Sequence, residues 1–173
     1  RVVRGQRMAF AHNGDLPGIE AREDARALIG ERIGDTDSEL AFLMLLQRLD
    51  AADASTPLDR HDIFGRFAAE IRELGSANFL FFDGEHLFVH ADRRKFETED
   101  GLTDPREPGL NIRSFEGRHS GQSWNTRGAN IENITAPLHL FASVPLDEEG
   151  WEPLARGCVL ALKDGAILAR TQT

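Results

Sequence analysis

The sequence has 173 residues, of which 40% are hydrophobic and 28% charged, a balance typical of one globular domain. A chain of this length buries about 70% of the surface that its unfolded form exposes, which is enough for a substantial core. The net charge of -9 disfavours contact with phosphate backbones, so we expect no nucleic-acid partner. No apolar run approaches the length of a bilayer-spanning helix, so we expect no membrane partner.

The first half of the sequence is predicted to be mainly helical. Residues 8–11 form a strand candidate that ends at an Asn-Gly pair, and residues 19–33 have apolar residues at helical spacing. A second helix is predicted in GDTDSELAFLMLLQRLDAAD, where Thr36 and Glu39 have the spacing of a capping box. The segment TPLDRHDIFGRFAAEIRELG predicts a third helix, with Pro57 near its start.

The second half favours strands. ANFLFFDGEHLFVHAD predicts a hairpin that turns at Asp83-Gly84, and GCVLALKDGAILAR predicts another that turns at Asp164-Gly165. The apolar run at residues 79–82 does not alternate, which indicates a strand covered by a sheet on one face and by helices on the other. LHLFASVPL predicts a further buried strand, and residues 93–136 are expected to be loops with one or two short strands. Helices followed by hairpins indicate an α+β layered fold.

The single cysteine, Cys158, excludes a disulfide within the chain and favours a reducing, cytoplasmic location. Its apolar surroundings, GCVLALK, are typical of a small buried residue rather than a nucleophile. His86 and His90 would lie about 13 Å apart along a strand, too far for one metal ion. The other histidines are scattered along the sequence, so we predict no metal site.

The stretch FAHNGD, residues 10–15, permits two interpretations. Asn13-Gly14 is typical of a tight turn, because both residues tolerate positive φ. An Asn side-chain amide beside a Gly backbone N–H also makes a two-donor pocket for a developing oxyanion. The residues of this stretch alone leave both interpretations open.

The stretch GDTDSE, residues 34–39, holds more acid than a helix cap requires. If Thr36 caps the helix and Glu39 completes the box, Asp37 lies in the first turn without a structural role. A carboxylate at that position is suited to bind an ammonium group. An oxyanion pocket combined with an ammonium site suits the amide carbonyl of an amino-acid substrate.

The order of these motifs resembles the class II glutamine amidotransferases, which are N-terminal-nucleophile (Ntn) hydrolases. Asp37 of GDTDSE follows Asn13 of FAHNG by 24 residues. NFLFFDGEHLFVHADRR and ASVPLDEEGWEPLARGCVLALKDG are similar to the stand-alone branch of the family. That branch includes predicted bacterial glutamine amidotransferases and enzymes that hydrolyse γ-glutamyl amides in thiol metabolism.

The resemblance implies a four-layer αββα sandwich that forms a single domain over residues 1–173. It implies that the side-chain amide of Asn13 and the backbone N–H of Gly14 form the oxyanion hole, and that Asp37 binds the α-ammonium of the substrate. The substrate would be glutamine or a γ-glutamyl amide, no cofactor is required, and a synthase that receives the ammonia is a candidate partner. Ser143 of ASVPL either borders the cleft, as a serine often does in this family, or simply ends a strand.

Two elements of the family pattern are not found in the sequence. The family nucleophile is a cysteine at the mature N-terminus, and an arginine that binds the substrate carboxylate precedes the HNG stretch. Arg1 and Arg4 lie too close to HNG to match that arginine. We therefore expect an N-terminal part of the domain upstream of Arg1. The alternative is a non-catalytic module that keeps the fold to bind a metabolite or to regulate a partner enzyme.

Overall fold

The computed structural model describes residues 1–3, 5–52, 54–117, 121–126 and 128–173, so Arg4 and His119 lie outside the described residues. The helices are α1 (Glu23–Arg26), α2 (Asp37–Ala51) and α3 (Pro57–Ile71), with single 3-10 turns at Ile19–Ala21 and Ile29–Glu31. The strands are β1 (Val2–Val3), β2 (Gln6–Arg7), β3 (Ala9–Asp15), β4 (Ser76–Phe82), β5 (Leu87–His90), β6 (Glu97–Thr98), β7 (Gly101–Leu102), β8 (Asn111–Phe115), β9 (Gln122–Thr126), β10 (Ala129–Ile134), β11 (Leu138–Ala142), β12 (Trp151–Pro153), β13 (Cys158–Lys163) and β14 (Ala166–Gln172).

The two long helices, α2 and α3, lie where the sequence predicted them. Thr36 is the N-cap of α2, because its Oγ1 accepts a hydrogen bond of 3.1 Å from the Glu39 backbone N–H. The predicted capping box is only half formed. The Glu39 carboxylate accepts hydrogen bonds from the N–H groups of Ile33 and Gly34, at 2.9 and 2.8 Å, instead of from Thr36. A complete capping box is present at the start of α3.

The continuous helix predicted for residues 19–33 is wrong, since this segment forms α1 between two 3-10 turns. Arg22 has an extended backbone, with ψ of 141°, which interrupts the helix. Its guanidinium contacts Asp24 at 2.9 Å and Glu70 at 2.5 Å, and Arg48 of α2 contacts the same two carboxylates. Tertiary ion pairing therefore overrides the helical periodicity of this segment.

Two antiparallel sheets form the centre of the fold. The five-stranded sheet has the order β14-β13-β5-β4-β3, and the three-stranded sheet has the order β11-β8-β12. Helices α2 and α3 pack on one face of the larger sheet around fully buried phenylalanines, namely Phe64, Phe67, Phe79, Phe81 and Phe88. The other face packs against the smaller sheet through a second cluster that includes Val89, Ile112 and Leu160. The prediction that β4 is covered on both faces is therefore confirmed.

Residues 93–136 contain more strand than the sequence predicted, because all of β6 to β10 lie there. β8 is the central strand of the smaller sheet and pairs with β11 and β12, both far downstream. Pairing between distant segments leaves no local sequence signal, which explains the error. The β9–β10 hairpin covers the outer face of this sheet, where Trp124 and Ile134 contact Phe115.

Both predicted hairpins form. Asp164 and Gly165 have φ of 49° and 77°, and Gly84, in the turn between β4 and β5, has φ of 104°. The strand predicted in LHLFASVPL is half-buried instead of buried, because β11 is an edge strand.

The fold is mixed α/β with antiparallel sheets. A second helical layer is not formed by the residues that the structure describes, so the αββα sandwich stays a prediction. Within the same residues, no helix is long and apolar enough to cross a bilayer.

His90 of β5 provides a test of the packing between the larger sheet and its helices, because its ring lies 6.1 Å from that of Phe79 in the helix-side core. Its side chain is fully buried, its Nδ1 lies 2.6 Å from the Ala77 carbonyl oxygen, and burial lowers its pKa from 6.5 to about 4. The unfolded chain takes up this proton below pH 6.5, whereas the folded chain resists it until about pH 4. Burial of His90 should therefore cost no stability above pH 6.5. As the pH approaches 4, protonation of the unfolded chain should lower the free energy of unfolding by about 3 kcal/mol.

Urea unfolding at intervals between pH 7.5 and pH 4 measures this loss. Carboxylates with lowered pKa values, such as those of Glu70 and Asp83, also begin to lose their contribution toward pH 4, so the loss due to His90 is the difference between the wild type and a His90→Gln variant. A folded His90→Gln variant should show a much flatter dependence. An unchanged slope in that variant would assign the loss to other groups.

Candidate active site

Asn13 and Gly14 lie inside β3 and do not form a turn, so the turn interpretation is wrong. The predicted strand at residues 8–11 in fact extends to Asp15. β3 is one of the two edge strands of the five-stranded sheet in the described residues. It pairs in register with β4, with Asn13 opposite Asn78 and Gly14 opposite Ala77. Both Asn13 and Gly14 are exposed. The pair is therefore presented on an open edge of the sheet.

Glycine at position 14 is required by close contact with the neighbouring strand. A Cβ added to Gly14 would lie 1.7 Å from the carbonyl oxygen of Ser76 and 2.5 Å from Nε2 of His12. Neither contact is sterically possible, and the Ser76 oxygen belongs to the backbone of β4. Only a residue without a side chain allows β3 to approach β4 this closely.

We expect Gly14→Ala to lower the free energy of unfolding by about 1–3 kcal/mol, because β3 must shift away from β4 to accommodate the methyl group. Gly30→Ala is the matched control, since a Cβ added there meets nothing within 4 Å. Chemical denaturation of both variants measures the difference. Equal free energies of unfolding for the two variants would show that β3 accommodates the methyl group without loss of stability.

His12 connects β3 to the start of α2. Its Nε2 lies 2.9 Å from the carbonyl oxygen of Ser76, to which it donates a hydrogen bond, and its Nδ1 lies 3.0 Å from the Ser38 hydroxyl. The Ser38 hydroxyl lies 3.0 Å from Oδ1 of Asp37. The imidazole side chain is fully buried. His12 and Ser38 therefore hold the HNG and TDSE motifs at a set separation.

Asp37 is the first residue of α2, and its side chain is 26% exposed. Its Oδ2 accepts a hydrogen bond of 2.8 Å from the backbone N–H of Leu16, directly after β3. The expectation that Asp37 has no structural role is therefore wrong, because it joins the strand to the helix. The first turn of a helix favours a negative charge at this position.

Asn13 opens onto a cavity of about 410 Å³ between the ends of the two sheets. Its Nδ2 lies 3.4 Å from the hydroxyl of Ser143, which follows β11 and lines the same cavity. Ser143 thus both ends a strand and borders the cleft. The remaining wall is largely apolar, with Leu80, Leu110, Phe141, Val144 and Leu146. Asp37 does not line this cavity and is connected to it through Ser38 and His12.

A second cavity, of about 450 Å³, lies at the opposite end of the sheets and is lined by none of the predicted site residues. Cys158 begins β13, which is separated from β3 by β5 and β4 in the same sheet. Its side chain is 1% exposed, and burial raises the pKa of its thiol. These properties confirm Cys158 as a small buried core residue and make it a poor nucleophile.

A buried polar network, which the sequence did not predict, lies behind Asn13. Asn78 and Asp92 are 3% and 0% exposed, and they connect β4 to the segment after β5. Asp92 also forms an ion pair of 2.9 Å with Arg156. The signal in the sequence is the position of these polar residues, since each lies at the end of an otherwise apolar strand sequence, NFLFF and LFVHAD.

The structure thus combines a mixed α/β fold of antiparallel sheets with an Asn-Gly pair that His12 and Ser38 link to the acidic start of α2. The sequence profile of the class II glutamine amidotransferases matches residues 1–173, and the chain belongs to that family.

Two relatives of known sequence are longer than this chain. The uncharacterized protein MJ1515 of Methanocaldococcus jannaschii is 28% identical over 169 residues, which is 97% of this chain and 45% of the relative. The protein named "Putative glutamine amidotransferase YafJ" of Escherichia coli is 32% identical over 93 residues, which is 52% of this chain and 35% of the relative. The chain therefore spans less than half the length of these relatives.

Solved structures show the same fold. The 2.0 Å crystal structure of a predicted glutamine amidotransferase from Pseudomonas aeruginosa has a TM-score of 0.73 at 24% identity, covering 98% of this chain and 62% of that one. A glutamine aminotransferase class-II domain protein from Silicibacter pomeroyi has a TM-score of 0.55 at 23% identity, covering 96% of this chain and 67% of that one. At these identities the similarity establishes the fold alone.

Proposed function

We propose that the protein containing this chain hydrolyses the side-chain amide of glutamine or of a γ-glutamyl compound. Family membership supports a glutamine-type substrate. The observation that carries the proposal is the position of Asn13, whose side-chain amide opens onto the cavity between the sheets while Gly14 follows it on the exposed edge of β3. The proposed site needs no metal or organic cofactor.

The proposed nucleophile is the thiol of a cysteine at the mature N-terminus, upstream of Arg1. Its sulfur attacks the amide carbon, and the electron pair of the carbonyl moves to the oxygen. The α-amine of the same cysteine takes the thiol proton and passes it to the leaving nitrogen. Collapse of this tetrahedral intermediate then expels ammonia from glutamine, or the corresponding amine from a γ-glutamyl compound, and leaves a thioester. Water then attacks the thioester through a second oxyanion and releases the carboxylic acid and the thiol. The Asn13 amide and the Gly14 N–H donate hydrogen bonds to the oxygen in both intermediates.

In this proposal Asp37 binds the α-ammonium group of the substrate. Support comes from its fixed position, since Leu16 and Ser38 hold one carboxylate oxygen each. An immobilised carboxylate binds a cation without first losing rotational freedom. The fold proposed for the whole domain is the αββα sandwich, and the proposed location of the reaction is the cytoplasm.

The test is to express the full reading frame and to measure glutamate and ammonia released from glutamine and from γ-glutamyl amides. We expect release that is abolished when the N-terminal cysteine is replaced by alanine. Release no faster than in the cysteine variant would overturn the proposal and favour a non-catalytic binding module. Release of ammonia from glutamine in an amount equal to the glutamate formed, with no other protein present, would indicate hydrolysis that needs no partner synthase.

A further inference from the structure

We propose that Asn78 is a positioning residue that orients the backbone N–H of Gly14 for oxyanion binding. This inference rests on the proposed function, because it assigns the orientation of one of the two proposed donors. Asn78 belongs to β4 and reaches the reacting atoms only through the neighbouring strand, β3.

The peptide group between Asn13 and Gly14 is the unit that Asn78 contacts. The carbonyl oxygen of Asn13 and the N–H of Gly14 belong to the same planar unit, and in a trans peptide they point in opposite directions. Nδ2 of Asn78 donates a hydrogen bond of 3.0 Å to that carbonyl oxygen. Asn78 therefore fixes the plane of the peptide group between Asn13 and Gly14 from the side of β4. Because the carbonyl oxygen faces β4, the Gly14 N–H points away from β4.

Within the described residues, no strand pairs with β3 on its opposite side, because β3 lies at one end of the sheet order. Along an extended strand, N–H groups two residues apart point to the same side. The N–H of Leu16 donates to Asp37, so the Gly14 N–H is directed to the edge on which that carboxylate lies. Asn78 thus aims one donor toward the side where the proposed ammonium site is located.

Asn78 has no donor left for a substrate. Besides the Asn13 carbonyl, its Nδ2 donates a hydrogen bond of 2.7 Å to the carbonyl oxygen of Arg93. Its Oδ1 accepts one of 2.7 Å from the Asp92 N–H. A side-chain amide has two N–H donors, and both are used. Although Asn78 lines the cavity, its effect on a reaction there is therefore indirect.

The surroundings leave the Asn78 side chain little freedom. It is 3% exposed, and a Cβ added to Gly109 would lie 2.3 Å from its Oδ1. The backbone N–H of Asp92 donates to that oxygen. The Asp92 carboxylate in turn accepts hydrogen bonds from the Ala77 N–H at 3.0 Å and from the Arg156 guanidinium at 2.9 Å. A fully satisfied buried network of this kind is rigid. Such rigidity is what a preorganised oxyanion donor requires.

Asn78→Ala in the full-length protein tests the inference. We expect kcat for glutamine to fall about 10- to 100-fold, because a misaimed donor costs less than a missing one. KM should stay within about twofold, because Asn78 does not contact the proposed ammonium site. Ile71→Val, a change at a buried position of α3 that does not line the cavity, controls for lost stability. A folded Asn78→Ala protein with unchanged kcat, or with KM and kcat altered as in the control, would overturn the inference.

A second readout does not depend on activity. The Gly14 amide resonance in a ¹⁵N–¹H spectrum should shift in Asn78→Ala and remain in place in Ile71→Val, since only the former frees the peptide plane. An unshifted Gly14 resonance would refute the positioning role even in an active enzyme. An inactive wild-type protein whose Gly14 resonance still responds would refute the proposed function but not the geometric link.

Discussion

Replacement of Asn13 by alanine is expected to lower kcat for glutamine about a hundred- to a thousandfold, which is the usual effect of removing one oxyanion donor. The side-chain amide of Asn13 is exposed at the cavity between the sheets, and its Nδ2 has a single described contact, 3.4 Å from Ser143. Removal of the amide therefore deprives the transition state of a hydrogen-bond donor and changes the free energy of unfolding little. KM should change little, because the donor acts mainly on the charge that develops during attack.

Steady-state kinetics on the full-length protein measure this effect. Asn130→Ala is the matched control, since Asn130 is an exposed strand asparagine that contacts only Glu132 through its side chain in the described residues. Thermal unfolding should give similar stability for both variants. Equal kcat in Asn13→Ala and in Asn130→Ala would exclude Asn13 from the oxyanion hole.

Asp37→Asn is expected to lower kcat/KM for glutamine about 30- to several thousandfold. This range corresponds to the roughly 2–5 kcal/mol lost when one partner of a close charge pair is removed. Asparagine is chosen because its side-chain oxygen can still accept the Leu16 N–H, which preserves the link between β3 and α2. Asp37→Ala would break that link and mix a structural loss with a loss of binding.

A substrate without the α-amino group separates these effects. Glutaramate, which is glutamine lacking its amine, should react with the wild type and with Asp37→Asn at similar low rates. Asp35→Asn, an exposed acid two residues upstream, should leave both substrates unaffected. If Asp37→Asn slows glutaramate as much as glutamine, the carboxylate maintains the structure and does not bind an ammonium group.

The order of the motifs along the chain is sufficient to indicate the family. FAHNG and GDTDSE are local stretches whose spacing is visible directly in the sequence, and the family profile confirms that resemblance. The roles of Asn13, Gly14 and Asp37 remain predictions. The sequence does not reveal how the two stretches are joined, because His12 and Ser38 meet only when β3 and α2 pack together.

The sequence by itself determined the long helices and the tight hairpins, because caps, helical periodicity and Asp-Gly turns act between residues close along the chain. Only the tertiary structure decided that β8 is the centre of a sheet, that residues 19–33 break into short turns, and that Asn13-Gly14 lies within a strand. The hydrogen bond from Asn78 to the Asn13 carbonyl oxygen is likewise visible only in the tertiary structure. Each of these features depends on contacts between distant segments, and their energies have no counterpart in the local pattern of residues.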